Sequence, residues 1–486
     1  IQYILSVLLL SGLSLRAQMN ERIINLLRQF PAQNAKQQQK NMDDIAALGK
    51  SGIVHLASQL SSSDKTEHAK VQYAIGGFTY FVTQNGKEEG RKMAAEAYAE
   101  ALGKITDKDN QAFLIFQLQQ VGKDEVVNTL ANYLNDAKLS GPAARALGKI
   151  GTDLSGKTLL QALSGASEAT QISIIEALGD GKFTEAAPVI EKLVVSTDVN
   201  LRKVALYALA SIGVPSSGNI LMNAANKAAY GYDEANATSS YLTYLTRLIE
   251  NGNNVLAIKG ANALLKNTPT PKQTPTRSAA LKILADAQGT ASVPTLIKAL
   301  TSTDINYRIA ALKLAQKYIN PTTTNLWLKA IPTLKPEAQA EIIEMLGQVE
   351  AKSALSTILK NVTNKESSIK LTAIKAASKI GQESVLGNLL GVLKKGSADE
   401  IKAVKNALLT MKGEGVINQV ASAIPTMPPS AQPALIEVLA ARGADSKIEV
   451  ILSQLKNNDV NVKVAAFAAL KSVSTVKDLN TLYGIL

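Results

Sequence analysis

The sequence predicts an all-α fold, a solenoid of stacked helical hairpins, and three observations point there. Composition is the first: Ala, Leu, Ile and Lys abound while aromatics make up 4% of the 486 residues, which favours helices over sheets. The second is an internal repeat of about 31 residues, whose core is a charged or amide residue followed by small and apolar ones. The third is an apolar pattern with spacing i, i+3, i+4, i+7 ahead of most of these cores. With no Cys, a disulfide scaffold and a thiolate metal site are excluded, and two histidines, His55 and His68, leave an imidazole cluster almost nothing to draw on.

In chain order, residues 1–15 are a Leu-rich apolar run ending at Leu15-Arg16-Ala17. Residues 1–17 read as a secretory signal, with a mature chain from near Gln18 that is periplasmic or secreted; a buried N-terminal helix is the alternative. The run is too short to cross a bilayer and no later stretch is apolar enough, so no membrane span is expected. Residues 18–139 are helical in pattern but irregular. Residues 140–265 and 279–486 read as regular repeats, separated by residues 266–278, KNTPTPKQTPTRS, a Pro/Thr-rich loop that no helix would tolerate.

The recurring polar position defines the repeat. Gln171 and Arg202 are 31 apart, and from Arg308 the series Gln339, Lys370, Lys402, Gln432, Lys463 runs at intervals of 31, 31, 32, 30 and 31. Arg202 to Arg308 is 106, three units of 31 plus the 13 residues assigned to the loop. Ahead of these anchors lie stripes such as Val293, Leu296, Ile297, Leu300 and Leu386, Leu389, Leu390, Leu393, each too short to shield itself, so units must stack. Small residues after the anchors, as in Val204-Ala205-Leu206-Tyr207-Ala208-Leu209, permit close helix approach. Gly151, Gly213 and Gly381 end Lys-Ile-Gly or Ser-Ile-Gly tripeptides, where a left-handed glycine cap stops a helix.

At Gly141-Pro142-Ala143-Ala144-Arg145-Ala146-Leu147-Gly148-Lys149-Ile150-Gly151 and at Leu201-Arg202-Lys203-Val204-Ala205 to Ile212-Gly213, the sequence resembles the short HEAT-like repeat, the form of roughly 31 residues also found in phycobilisome lyases. The resemblance covers residues from about 140 to the end and implies a right-handed α-solenoid used as a binding scaffold. Ile45-Ala46-Ala47-Leu48-Gly49-Lys50-Ser51-Gly52, followed by Ala74-Ile75-Gly76-Gly77-Phe78, is similar to the leading part of exported bacterial proteins in which such an array precedes a 3-keto-disaccharide hydrolase-type domain. The chain ends on Leu482-Tyr483-Gly484-Ile485-Leu486, apolar where a solenoid end needs a polar cap. Two readings stay open: continuation into a further domain, or residues folding back over the last repeat.

One string imitates a catalytic signature. Gly151-Thr152-Asp153-Leu154-Ser155-Gly156-Lys157-Thr158 matches the phosphate-cradling loop, but that chemistry needs a preceding strand and this string follows a repeat helix. Asp198 likewise falls between two repeat helices. The acid pairs Asp43-Asp44, Glu88-Glu89 and Asp107-Lys108-Asp109 cannot oppose each other across a cleft as glycosidase carboxylates do, and read as solvated turns or helix caps. No cofactor, metal site or catalytic residue is expected, and the chain reads as a non-enzyme.

The net charge of +12 comes from 42 Lys and 10 Arg. Nucleic-acid readers favour Arg and interleaved aromatics, so scattered Lys reads as solvation and nucleic acid is not expected as a partner. Stacking would align Arg202, Arg308, Lys370, Lys402 and Lys463 into a cationic ladder, a candidate binding site for an acidic chain. Against that, Asp198, Asp304, Glu366 and Asp459 stand four residues before four of these cations, the order that favours helical i, i+4 ion pairs. Tyr207, Tyr230, Tyr232, Tyr241 and Tyr244 form a local aromatic enrichment suited to sugar stacking or to packing of an irregular unit. The expected function is an exported non-catalytic scaffold binding a protein, or an acidic or neutral glycan; the alternative is the scaffold segment of a larger carbohydrate-processing enzyme.

Overall fold

The computed structural model describes residues 17–61 and 64–485, so the expected signal segment lies outside them apart from Ala17. Among the described residues the regular structure is helical throughout, with no strand. The chain divides between Gly260 and Ala261 into two compact units.

Unit 1 opens with α1 (residues 17–27), which buries Ile23, Leu26 and Leu27. Then come α2 (Ala35–Ala46), α3 (Gly49–Ser58), α4 (Lys65–Val82), α5 (Glu88–Leu102), α6 (Lys108–Val121), α7 (Asp124–Ala131), α8 (Ser140–Ile150), α9 (Asp153–Leu163), α10 (Glu168–Asp180), α11 (Ala187–Ile190), α12 (Val199–Ile212), α13 (Gly218–Lys227) and α14 (Ala237–Glu250). The helices start where short polar side chains accept first-turn amides: Asp64, Asp107, Thr152, Ser167 and Asp198 all do so. From α6 onward each long helix packs on the next, α6 on α8, α8 on α10, α10 on α12 and α12 on α14, while the shorter α7, α9, α11 and α13 pack against this row. Regular stacking therefore begins at α6, ahead of residue 140.

The unit boundary falls inside α15 (Asn254–Asn267). Unit 2 continues with α16 (Thr274–Gln288), α17 (Val293–Ala299), α18 (Ile305–Ala315), α19 (Pro321–Ala330), α20 (Pro336–Gln348), α21 (Leu355–Asn361), α22 (Ser367–Gly381), α23 (Leu386–Leu393), α24 (Ala398–Thr410), α25 (Glu414–Ala423), α26 (Gln432–Ala441), α27 (Ile448–Gln454), α28 (Val460–Val473) and α29 (Leu479–Tyr483). Its even-numbered helices from α16 to α28 form one stacked row, and one hydrophobic core runs from Leu281 to Val473. The predicted stripes lie in it: Val293, Leu296 and Leu300, then Leu386, Leu389, Leu390 and Leu393, are all buried. Each unit is thus an α-solenoid of helical hairpins.

Three expectations are corrected. Residues 266–278 are not a loop of 13: α15 runs to Asn267, and Pro271 and Pro275 sit in the first turns of a 3-10 turn and of α16, where a missing N–H costs nothing. The extra residues lie instead in the connection 228–236 and in α15, 14 residues long against 7 in α17. Gly381 is not a left-handed cap but the last residue of α22, at φ −95°; the positive φ falls on Gln382, at 47° with ψ −135°, and a Cβ on Gly381 would lie 2.3 Å from Val385 Cγ1. Gly151 and Gly213 do cap α8 and α12, at φ 67° and 72°. At the end of unit 2, α29 buries none of its residues, and Val460, Val464 and Phe467 on α28 stay 70%, 62% and 54% exposed, so the last described residues do not cover that stripe.

The stacked row is set by small residues. A Cβ on Gly148 would stand 2.7 Å from the Ala177 carbonyl, one on Gly179 2.7 Å from Ala208 Cα, and one on Gly347 2.6 Å from Ala376 Cβ. The same glycine-on-alanine contact recurs between α8 and α10, α10 and α12, and α20 and α22. Neither backbone can yield without disturbing its own hairpin. Gly347→Val is expected to destabilise unit 2 by about 2–3 kcal/mol in chemical denaturation, as overpacking does. Gly391, exposed in α23 with open space around it, gives the contrast: Gly391→Ala should stabilise by about 0.5–1 kcal/mol.

Candidate functional site

The anchor side chains turn back onto the backbone of the loop before their own helix. Gln171 Nε2 donates to the Ala166 carbonyl at 3.2 Å, Gln339 to Leu334 at 2.8 Å and Gln432 to Met427 at 2.8 Å. The arginines do the same: Arg202 Nη1 donates to Ser196 O at 2.6 Å and Thr197 O at 3.3 Å, and Arg308 Nη1 to Ser302 O at 3.0 Å. Gln and Arg share an N–H donor on a long stem, and that donor satisfies carbonyls left over between two helices. Two further anchors escaped the sequence reading. Gln111 donates to Ile105 O at 2.9 Å, and its signal was the capping Asp107 four residues earlier. Arg277 lies 31 residues before Arg308, with its guanidinium 3.9 Å over the Tyr307 ring.

Lys402 is one residue out of place. The cap Ser397 puts the anchor at Ile401, which restores even intervals of 31 from Lys370 and to Gln432; Lys402 itself points outward, exposed. Of the ladder cations, Arg308 is held by Glu341 through two bonds of 2.7 and 2.9 Å, and Lys370 by Glu400 at 2.6 Å, both carboxylates belonging to the next repeat. These pairs are 11–20% exposed, well shielded from screening by salt. The anticipated i, i+4 pairs do not form: Asp198, Asp304 and Asp459 turn to cap first-turn amides, and Lys370 reaches Glu400 instead of Glu366, which caps nothing. The Thr274 hydroxyl and those amides hold the Asp304 carboxyl below the ordinary carboxylate range. Arg202, Lys402 and Lys463 make no ion pair with a described residue.

The phosphate-loop string folds as a cap between two helices: Gly151 ends α8, Thr152 caps α9, and Lys157 lies within α9. Gly156 is there because its Cβ would strike the Phe183 ring at 2.3 Å. No strand precedes it, so no phosphate cradle forms. His68 Nδ1 meets the Leu60 carbonyl at 2.9 Å and His55 meets Asn20, while among the described residues no three His, Cys, Asp or Glu side chains converge as a metal site. Of the acid pairs, Asp107 caps α6, Asp44 pairs with Lys40, and Glu88 binds Arg91 and Lys123, which hold its carboxyl below the usual range.

Two open grooves flank α12. On one side a groove of about 380 Å³ runs across α10, α12 and α14, lined by Ile172, Glu176, Lys203, Val204, Tyr207 and Thr243 among others. Tyr207, 41% exposed, donates to Asp180 at 2.5 Å, and that carboxylate, with partial burial, raises the phenol's pKa. Of the tyrosine group, Tyr241 and Tyr244 stack at 6.3 Å and are buried, so they pack α14; burial pushes Tyr241 up to about 12. Tyr232 is 88% exposed. On the other side of α12 a cleft of about 640 Å³ contains Arg202.

The fold and these surfaces define an α-solenoid with grooves between stacked helices. Residues 156–241 and 324–408, one segment in each unit, match the family model described as HEAT repeats. Among solved structures, the chain is similar to Kap121p bound to RanGTP, at 13% identity with a TM-score of 0.49 over 94% of this chain and 57% of that one. It is also similar to Kap95 in its complex with Nup1, at 13% identity with a TM-score of 0.42 over 93% and 72%. The chain thus spans little over half the length of Kap121p. No curated protein matches it.

In a double-mutant cycle, Arg308→Met and Glu341→Met are expected to couple by about 1–3 kcal/mol, whereas Arg308→Met and Asp304→Asn should couple by less than about 0.5 kcal/mol. The reverse order would restore the i, i+4 pairing.

Proposed function

We propose that this chain is an exported, non-catalytic scaffold that binds a protein partner along the row of long helices in unit 1. The observation that carries the reading is the groove across α10, α12 and α14. It combines an aromatic with a tethered hydroxyl (Tyr207), the residue type that anchors interfaces, with aliphatic surface (Ile172) and both charge signs (Glu176, Lys203), which suit a polar rim. Stacked repeats favour such a role, since each unit adds one helix to a continuous surface without altering its neighbours. Export rests on the apolar residues 1–15 and the small Ala17. Kinship with the short-repeat lyase-type arrays rests on the 31-residue spacing.

A photoreactive amino acid at position 207, with Gln161 on α9 as the control site, tests the reading in the native host. A protein adduct at 207 and none at 161 is expected. A carbohydrate adduct at 207 would replace the protein by a glycan partner, and no adduct would overturn the site. Fractionation tests export: the chain should appear outside spheroplasts, and confinement to them would contradict it.

A further inference from the structure

The cleft on the opposite side of α12 has features that neither the repeat nor the proposed groove accounts for. Its accessible aliphatic lining is Val194, Val195 and Ile220, of which Val195 is 75% exposed, and charged groups stand around it: Arg202, Lys227, Glu191 and Asp233. Formal charge balances, and of the four charged groups only the two cations can donate hydrogen bonds. Asp233 already accepts the amides of Ala235 and Ala237, and Glu191 accepts the Ser217 hydroxyl. Arg202 engages only Nη1, leaving Nε and Nη2 without a partner among the described residues, and Lys227, exposed in the last turn of α13, makes no ion pair there. Among the charged groups, Arg202 and Lys227 therefore keep donors open, beside the neutral side-chain amide of Asn223.

One wall is the connection 228–236, which carries part of the extra length of this repeat. Ala229, Tyr230 and Asn236 in it have φ of 49°, 56° and 55°, half of the positive-φ residues other than glycine among the described residues. Left-handed geometry costs about 1–2 kcal/mol at residues such as Ala and Tyr, and such strain clusters at ligand clamps.

We propose that this cleft is a second binding site, which takes an extended peptide segment carrying a carboxylate next to an aliphatic side chain. The carboxylate lies against Arg202 and Lys227, where a guanidinium with two free N–H groups offers the planar fork that a carboxylate matches. The aliphatic side chain covers Val194 and Ile220. An inorganic anion would leave the aliphatic lining wet, and a cleft of about 640 Å³ has room for several residues.

The test is a display selection of random heptapeptides on the full chain, followed by affinity measurement of the enriched sequences as synthetic peptides. Enrichment of Asp or Glu beside Leu, Ile or Val is expected, with affinity falling at least tenfold in both Arg202→Gln and Lys227→Glu and unchanged in Tyr207→Ala. Gln makes the loop clamp at Gln171, Gln339 and Gln432, so Arg202→Gln is expected to keep the fold; if it fails to fold, Lys227→Glu, at an exposed position, decides the matter. Synthesising each peptide with a free or an amidated C-terminus separates a terminal from a side-chain carboxylate, and either supports the proposal. Enriched peptides without an acid, no enrichment, or affinity unchanged in Lys227→Glu would overturn it, as would binding of polyglucuronate where the peptides do not bind.

Discussion

Close approach of neighbouring long helices at small residues is the constraint on which the rest depends. Where Gly179 meets Ala208 or Gly347 meets Ala376, the backbones come nearer than a single added Cβ allows. At these junctions and at Gly148 on Ala177 that contact aligns one hairpin on the next and closes the aliphatic core between them. A hairpin alone cannot bury its stripe, so stability belongs to pairs of neighbours and the array behaves as a one-dimensional stack. Surface residues are then free to vary, which leaves a scaffold its binding grooves.

The second constraint is polar. Short loops between successive hairpins leave carbonyls with no helical partner, and at Gln171, Arg202, Arg308, Gln339 and Gln432 the anchor answers with an N–H donor reaching back five or six residues. This accounts for the mixture of Gln and Arg at one site, which a charge-based reading cannot. Arg308 and Lys370 add a carboxylate from the following repeat, tying neighbours together. Arg202 keeps the loop contact but lacks the carboxylate, and it stands where the repeat is longest and a cleft opens.

Helix class, period and packing face could be read from residue spacing because each is local: an i, i+4 stripe and a capping Gly or Asp act within one or two turns. Gly151 and Gly213 were readable for that reason. Part of what escapes a local reading depends on the next repeat. Lys370 and Glu400 are 30 residues apart, and no local rule links them. Lys402 was taken for the anchor because its charge resembled the others, whereas Ser397 and the even 31-residue interval mark Ile401. The Pro/Thr-rich stretch was read as a loop because proline breaks helix interiors, but Pro271 and Pro275 occupy first turns, where proline is favoured. The grooves beside α12 had no signature beyond the tyrosine enrichment, since a groove is a property of three helices together.

Native-state hydrogen exchange on a Gly179→Ala variant tests the neighbour-coupled stack most directly. The expected result is loss of amide protection in α10 and α12, the two helices that meet at Gly179 and Ala208, with smaller losses in α8 and α14 and little change in α2 and α3. Loss confined to α10, or equal loss throughout unit 1, would contradict the account.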